Sequence, residues 1–86
     1  MTENELLRKV KDAMSIGANN HLDDTLKVYM QACKVYMKKA GVSDATLASD
    51  DCVPVIAIGT KNLYKDGVFS EFFYQSVIQL VEYKNE

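Results

Sequence analysis

The side chains able to do chemistry are few in this 86-residue chain, and they lie far apart. His21 is the only histidine. It has no neighbouring cysteine and no second histidine three or four residues on, so it lacks the donor spacing of a metal site. No nucleophile or carboxylate stands at a recognisable spacing from it, so neither a Ser-His-Asp nor a Cys-His arrangement can be assembled. It reads as a loop or cap residue. Cys33 and Cys52 are well separated and have no zinc spacing. Without an extracellular context, reduced and buried small apolar residues are the simplest reading of both. Asp44, Asp50 and Asp51 invite calcium, but the alternating ligands, central glycine and terminal glutamate of an EF-hand loop are absent. Helix capping by Asp50 or Asp51 explains them better. Gly59 has no glycine-rich surroundings, so a phosphate-cradling loop is unsupported. Catalysis is therefore not expected, and neither a cofactor nor a metal is.

Charge narrows the field further. Ten basic residues against twelve acidic ones leave a formal charge of −2. That balance gives no electrostatic drive toward nucleic acid or acidic membranes, whose nonspecific binders carry a basic excess. Lys27, Lys34, Lys38 and Lys39 are a partial exception, and they read as a solvated face rather than a phosphate track. The polar start MTENELLRKV reads as the beginning of a helix, not as a secretory signal. No apolar run approaches the roughly 18 residues of a membrane span. An intracellular role without membrane contact is the expectation.

The elements that must carry these residues are helical. Residues 22–40, closed by Gly41, form the longest uninterrupted pattern, and every other element reads as a shorter one arranged against it. At 100° per residue, Leu22, Leu26, Tyr29, Met30, Cys33, Tyr36, Met37 and Ala40 fall in a stripe about 120° wide. Asp23 and Asp24 in the first turn and Lys38 and Lys39 in the last complement the helix dipole. Gly41 is a natural left-handed cap. Val28 and Val35 lie on a flank outside the stripe, with Ala32 beside them, which suggests a second contact surface.

A shorter helix precedes it. Thr2 and Glu5 have capping-box spacing, Leu6, Leu7, Val10, Ala13 and Met14 share one side, and Arg8, Lys11 and Asp12 the other. It should stop near Ser15, with Ile16 as an apolar plug and Asn19 or Asn20 supplying a left-handed residue. Residues 42–51 read as a polar connector with room for one helical turn. The run CVPVIAIG that follows has the look of a buried strand. Pro54 suits a helical first turn, however, and the chain offers no second strand to pair with. A helix to Asp66 is favoured, with Gly59 permitting a close crossing. Asp66-Gly67 is a stop signal, and Ser70 caps a last helix whose apolar face is Phe73, Tyr74, Val77, Ile78, Leu80 and Val81. Phe72 and Tyr83 fall outside that face. The fold class is thus all-α: one domain over residues 1–86, a small bundle of about four helices with the second the longest.

The order of these segments resembles the small head-tail connector proteins of tailed bacteriophages and prophages. ELLRKVKDAMSI, a polar turn and DDTLKVYMQACKVYMKKAG are similar to that family's leading LL-x-x-V-K helix and its helix ending A-x-x-Y-x-x-x-x-G. The matching positions are Leu6, Leu7, Val10, Lys11, Ala32 or Cys33, Tyr36 and Gly41. Leu63, Tyr64, Gly67, Ser70, Phe73, Gln79 and Leu80 match the family's L-Y, glycine turn, S-x-x-F and Q-L positions. The resemblance implies a helical subunit, made in the bacterial host cytoplasm and placed at the head-tail junction of the virion. There it would join a homo-oligomeric ring between the portal protein and the next tail-side connector, with DNA passing and held only weakly. It is compatible with a subunit that stays monomeric until the portal templates it. Ring closure needs two different faces, for which Val28, Ala32 and Val35 on one side and Phe72 and Tyr83 on the other are the candidates. Burial of the valine flank inside the monomer stays open as the alternative.

The competing function is a small helical DNA-binding or regulatory protein. That would need Arg, Lys, Asn or Gln clustered on an exposed helix start, whereas the third helix begins CVPVIAIG, too apolar for a groove. A partner-binding module of cellular origin is a third reading.

Overall fold

A computed structural model of the chain describes residues 2–15 and 22–84. Among them there is no strand. Five α-helices follow one another: α1 Glu3–Met14, α2 Asp23–Lys39, α3 Asp44–Leu47, α4 Val53–Asp66 and α5 Glu71–Lys84, with a 3-10 turn Asp50–Cys52 before α4. The all-α class holds, and CVPVIAIG is helical.

Cap chemistry sets most of the helix ends. The Thr2 hydroxyl accepts the Glu5 N–H at 3.1 Å and donates to the Glu5 carboxylate at 3.3 Å. α1 ends with Ser15 in the left-handed region, its φ at 60°. His21, Ile16, Asn19 and Asn20 lie outside the described residues. α2 closes on a pair of crossing bonds, Val42 N–H to the Met37 carbonyl at 3.0 Å and Gly41 N–H to the Lys38 carbonyl at 3.1 Å. These are the two bonds of the Schellman motif, which requires a residue of positive φ between them. Gly41 supplies it at 109°. Gly67, at φ 75°, ends α4 by donating to Leu63. Ser70 then caps α5, its hydroxyl oxygen accepting from Phe73 N–H at 3.2 Å while its own N–H and O–H are both held by Asn62.

The long helix is not the hub. α4 packs on α2, on α1 and on α5, whereas α1 and α2 meet less extensively. Its residues Val55, Ile56, Ala57, Gly59 and Thr60 are all buried, a band too broad for one face. Gly59 explains the tight approach. A Cβ built there would stand 2.6 Å from the Cys33 Sγ of α2 and 2.6 Å from the Phe73 ring of α5. Three helices therefore meet at a point where only hydrogen fits. Beside it Tyr36, Phe69, Phe73 and Tyr74 form an aromatic cluster. Phe69 stacks on Phe73 at 4.3 Å between centroids, and Tyr36 lies 5.7 Å from both and 5.2 Å from Tyr74. Offset and edge contacts at such distances add to the burial energy. The rest of the core is Leu6, Leu7 and Val10 from α1, Leu26, Met30 and Met37 from α2, Val42, Cys52 and Val77.

Several side chains depart from their periodicity. Lys11, assigned to the polar side of α1, is buried and bonds Asp23 at 2.7 Å. The pair joins the last turn of α1 to the first turn of α2, where a cation and an anion respectively suit the helix dipoles. Ala13, Ala40 and Ile78, read as apolar-face residues, are exposed. Asp50 does not cap α4, whose N-cap is Cys52 with no side-chain cap bond. It pairs instead with Lys9 of α1, tying the 3-10 turn across to the first helix.

Candidate interaction surface

Both thiols are spoken for by the fold. Cys33 lies 3.8 Å from the Ile56 carbonyl and 3.8 Å from the Thr60 hydroxyl, and burial pushes its pKa up to about 11. Cys52 donates to the carbonyls of Leu47 and Ser49, both at 3.1 Å, and burial raises its pKa as well. A thiol kept protonated and out of solvent is a poor nucleophile and a poor metal ligand. Asp50 shifts the other way: the Lys9 hydrogen bond, then its charge, hold the carboxyl below its usual value. Among the described residues no three His, Cys, Asp or Glu side chains come close enough to hold a metal ion. No described helix is long and apolar enough to cross a membrane.

Shallow grooves mark the surface. One of about 360 Å³ is lined by Val55, Ser76, Gln79 and Leu80, between α4 and α5. Another of about 340 Å³ is lined by Lys9, Asp12, Asp50, Val53 and Pro54. Neither gathers the convergent polar groups of a ligand site. The only acid–base pair in the second is the Lys9–Asp50 ion pair that already fastens α1 to the 3-10 turn.

What the fold leaves over is apolar surface. On α2 the inner row Leu26, Met30, Cys33 and Met37 is buried. The opposite row, Asp24, Thr25, Val28, Gln31, Ala32, Val35, Lys38 and Lys39, is exposed throughout. Val28 keeps 66% of its surface in solvent and Val35 43%. The flank thus lies outside the monomer core, and intramolecular burial is excluded for both valines. With Ala32 they fall within about 60° of arc on one helix face, so one partner surface can meet all three.

The second patch is only partly as the sequence placed it. Phe72 is 67% exposed on α5. The Tyr83 side chain lies outside the described residues. Near Phe72 in sequence, Tyr64 and Val68 also face solvent, at 45% and 67%, on either side of the Gly67 turn. Sequence reasoning passed over these two. Their signal was an apolar pair bracketing a Gly turn with no stripe of its own to join. Ile78, 46% exposed, adds to the apolar surface of α5. The lysines of α2 differ in their surroundings. Lys27 and Lys34 are half-buried, and Lys38 is engaged with Asp44 at 3.4 Å.

No family model, curated protein or solved structure matches the chain.

Proposed function

We propose that this protein is a structural assembly subunit, a head-tail connector that joins a ring beneath a phage portal and extends its DNA channel. One observation carries the proposal: the longest helix presents an exposed apolar row, Val28, Ala32 and Val35, on a fold whose described residues gather no metal-ligand cluster. Contiguous exposed apolar surface, unlike apolar side chains scattered singly, is a feature of interaction sites, and a row at helical spacing is a candidate for one. The Phe72 patch on α5 lies on a different helix, as a ring interface demands, since a head-to-tail contact joins two unlike faces. In the ring the α2 row of one subunit meets the α5 patch of the next.

The residues that carry the family resemblance also support it. Leu6, Leu7, Val10 and Phe73 are core, Tyr36 sits in the aromatic cluster, and Gly41 and Gly67 hold positive φ. These matched positions thus have structural roles in the bundle, which is compatible with the resemblance, while Tyr64 and Gln79, matched as well, are exposed. The chain's small negative charge fits a channel through which DNA slides, because tight phosphate contacts would arrest it.

Electron microscopy of the purified protein, alone and mixed with a portal ring, tests the proposal. Added density in register with the portal subunits is the expected result, lost when Val28 and Val35 are replaced by glutamate. A protein that ignores the portal and instead binds a short duplex tightly and sequence-specifically at about 150 mM salt would make it a DNA-binding regulator.

A further inference from the structure

The exposed row of α2 has a symmetry that its apolar residues alone do not require. From one end to the other it reads Asp24, Thr25, Val28, Gln31, Ala32, Val35, Lys38, Lys39, and every one is exposed. A two-fold axis between Gln31 and Ala32 exchanges Val28 with Val35, Thr25 with Lys38, and Asp24 with Lys39. Two copies of α2 laid antiparallel across that axis would therefore set valine on valine, with an acid against a base at each end. Among the described residues neither Asp24 nor Lys39 takes part in an ion pair within the fold. We infer that the free protein associates with a second copy of itself through this row, as an antiparallel α2–α2 dimer.

Orientation follows from charge. A parallel pairing would place Asp24 beside its own copy and both terminal lysines beside theirs, which like-charge repulsion opposes. The antiparallel pairing forms the Asp24–Lys39 contact twice and also opposes the two helix dipoles favourably. A patch that complements itself is what a closed two-fold interface needs. Ala32, small and next to the axis, lets the two helices approach to the 8–10 Å of ordinary helix packing.

Size sets the strength. From Asp24 to Lys39 the row is about 22 Å long and one helix wide, well short of the ~800 Å² per partner of a stable complex. The dimer is accordingly weak, with Kd on the order of 100 µM. The pairing follows from α2 alone and does not rest on the connector proposal. If the ring uses the same row, dimerisation and ring entry exclude each other, and the dimer keeps free subunits from joining head to tail before a template is present.

Sedimentation of the full chain without any portal, from about 10 µM to about 1 mM, tests the inference. The expected result is a monomer–dimer equilibrium that stops at the dimer. Asp24→Lys and Lys39→Asp should each weaken it about tenfold, since each turns two attractive contacts into repulsive ones. The double variant Asp24→Lys/Lys39→Asp should return Kd to within about threefold of the original, because it rebuilds both pairs with their signs exchanged. Either single variant serves to break the pairing if the other perturbs its helix end. A wild-type chain that stays monomeric, that grows past dimers, or whose association ignores the single variants overturns the inference. So does a double variant that fails to recover.

Discussion

The two faces of α2 have opposite characters. The inner face is closed to the last atom: Leu26, Cys33 and Met37 have no solvent exposure, and Cys33 lies against a glycine because no larger residue fits. The outer face, a half-turn away on the same helix, leaves two valines open to water. Burying a valine is worth roughly 1.5 kcal/mol or more, so the outer row forgoes stability that an intramolecular neighbour would have supplied. The difference teaches that the helix divides between a face that makes the monomer and a face left to solvent, the face that the proposed assembly uses. α4 covers the inner face. In the monomer the outer row remains uncovered.

Substitutions on the inner face should be the most damaging. Phe73→Ala removes a fully buried ring that touches Gly59, Tyr36, Phe69 and Tyr74. A loss of about 3–5 kcal/mol is expected, enough to leave so small a domain largely unfolded at 37 °C, as thermal circular dichroism would register. Gly59→Ala is the sharper test, since only one methyl is added. Its helix propensity alone would stabilise by about 1 kcal/mol. With the new carbon 2.6 Å from both Cys33 and Phe73, overpacking reverses the sign, and a net loss of roughly 1–2 kcal/mol in urea unfolding is expected. A stabilised Gly59→Ala protein would mean that the three-helix meeting point is looser than described.

A subtler consequence of the closed face appears only in alkali. The Cys33 thiol titrates near its reference of 9.0 when unfolded and at about 11 in the fold. The unfolded chain then binds fewer protons over that interval, so the stability associated with Cys33 is intact below about pH 9 and declines between 9 and 11. Urea midpoints at the two ends of the interval should fall further for the wild type than for Cys33→Ser, whose hydroxyl does not titrate.

How much of this was legible in the sequence depends on whether a feature is local. Helix ends were, because Thr2, Gly41, Pro54, Gly67 and Ser70 act on backbone groups within a few residues of themselves. The outer row of α2 was too, since its angular position follows from spacing alone. What failed was set by other helices. Lys11 looked like a surface lysine until α2 brought Asp23 to it, and Asp50 looked like a cap until Lys9 claimed it. Ile78 belongs to an apolar pattern but stays exposed on α5. The long helix seemed the organiser because length shows in sequence, whereas α4 became the hub through the close crossing that Gly59 was expected to permit and through Thr60, whose burial no hydropathy pattern announces. For the candidate surface, spacing placed Val28, Ala32, Val35 and Phe72 outside the apolar stripes but left the burial of the valines open, and it did not single out Tyr64 and Val68, which flank the turn between α4 and α5.

The division of α2 into a folding face and an association face is tested most directly by the unfolding midpoint of the Val28→Glu/Val35→Glu double variant, measured at low protein concentration. Exposed substitutions of this kind change stability by no more than about 0.5 kcal/mol each, so the midpoint should stay within about 5 °C of the wild type with helicity unchanged. A fall of about 15 °C or more, the size expected when buried apolar groups are replaced by charge, would place the valines in the core and contradict the division.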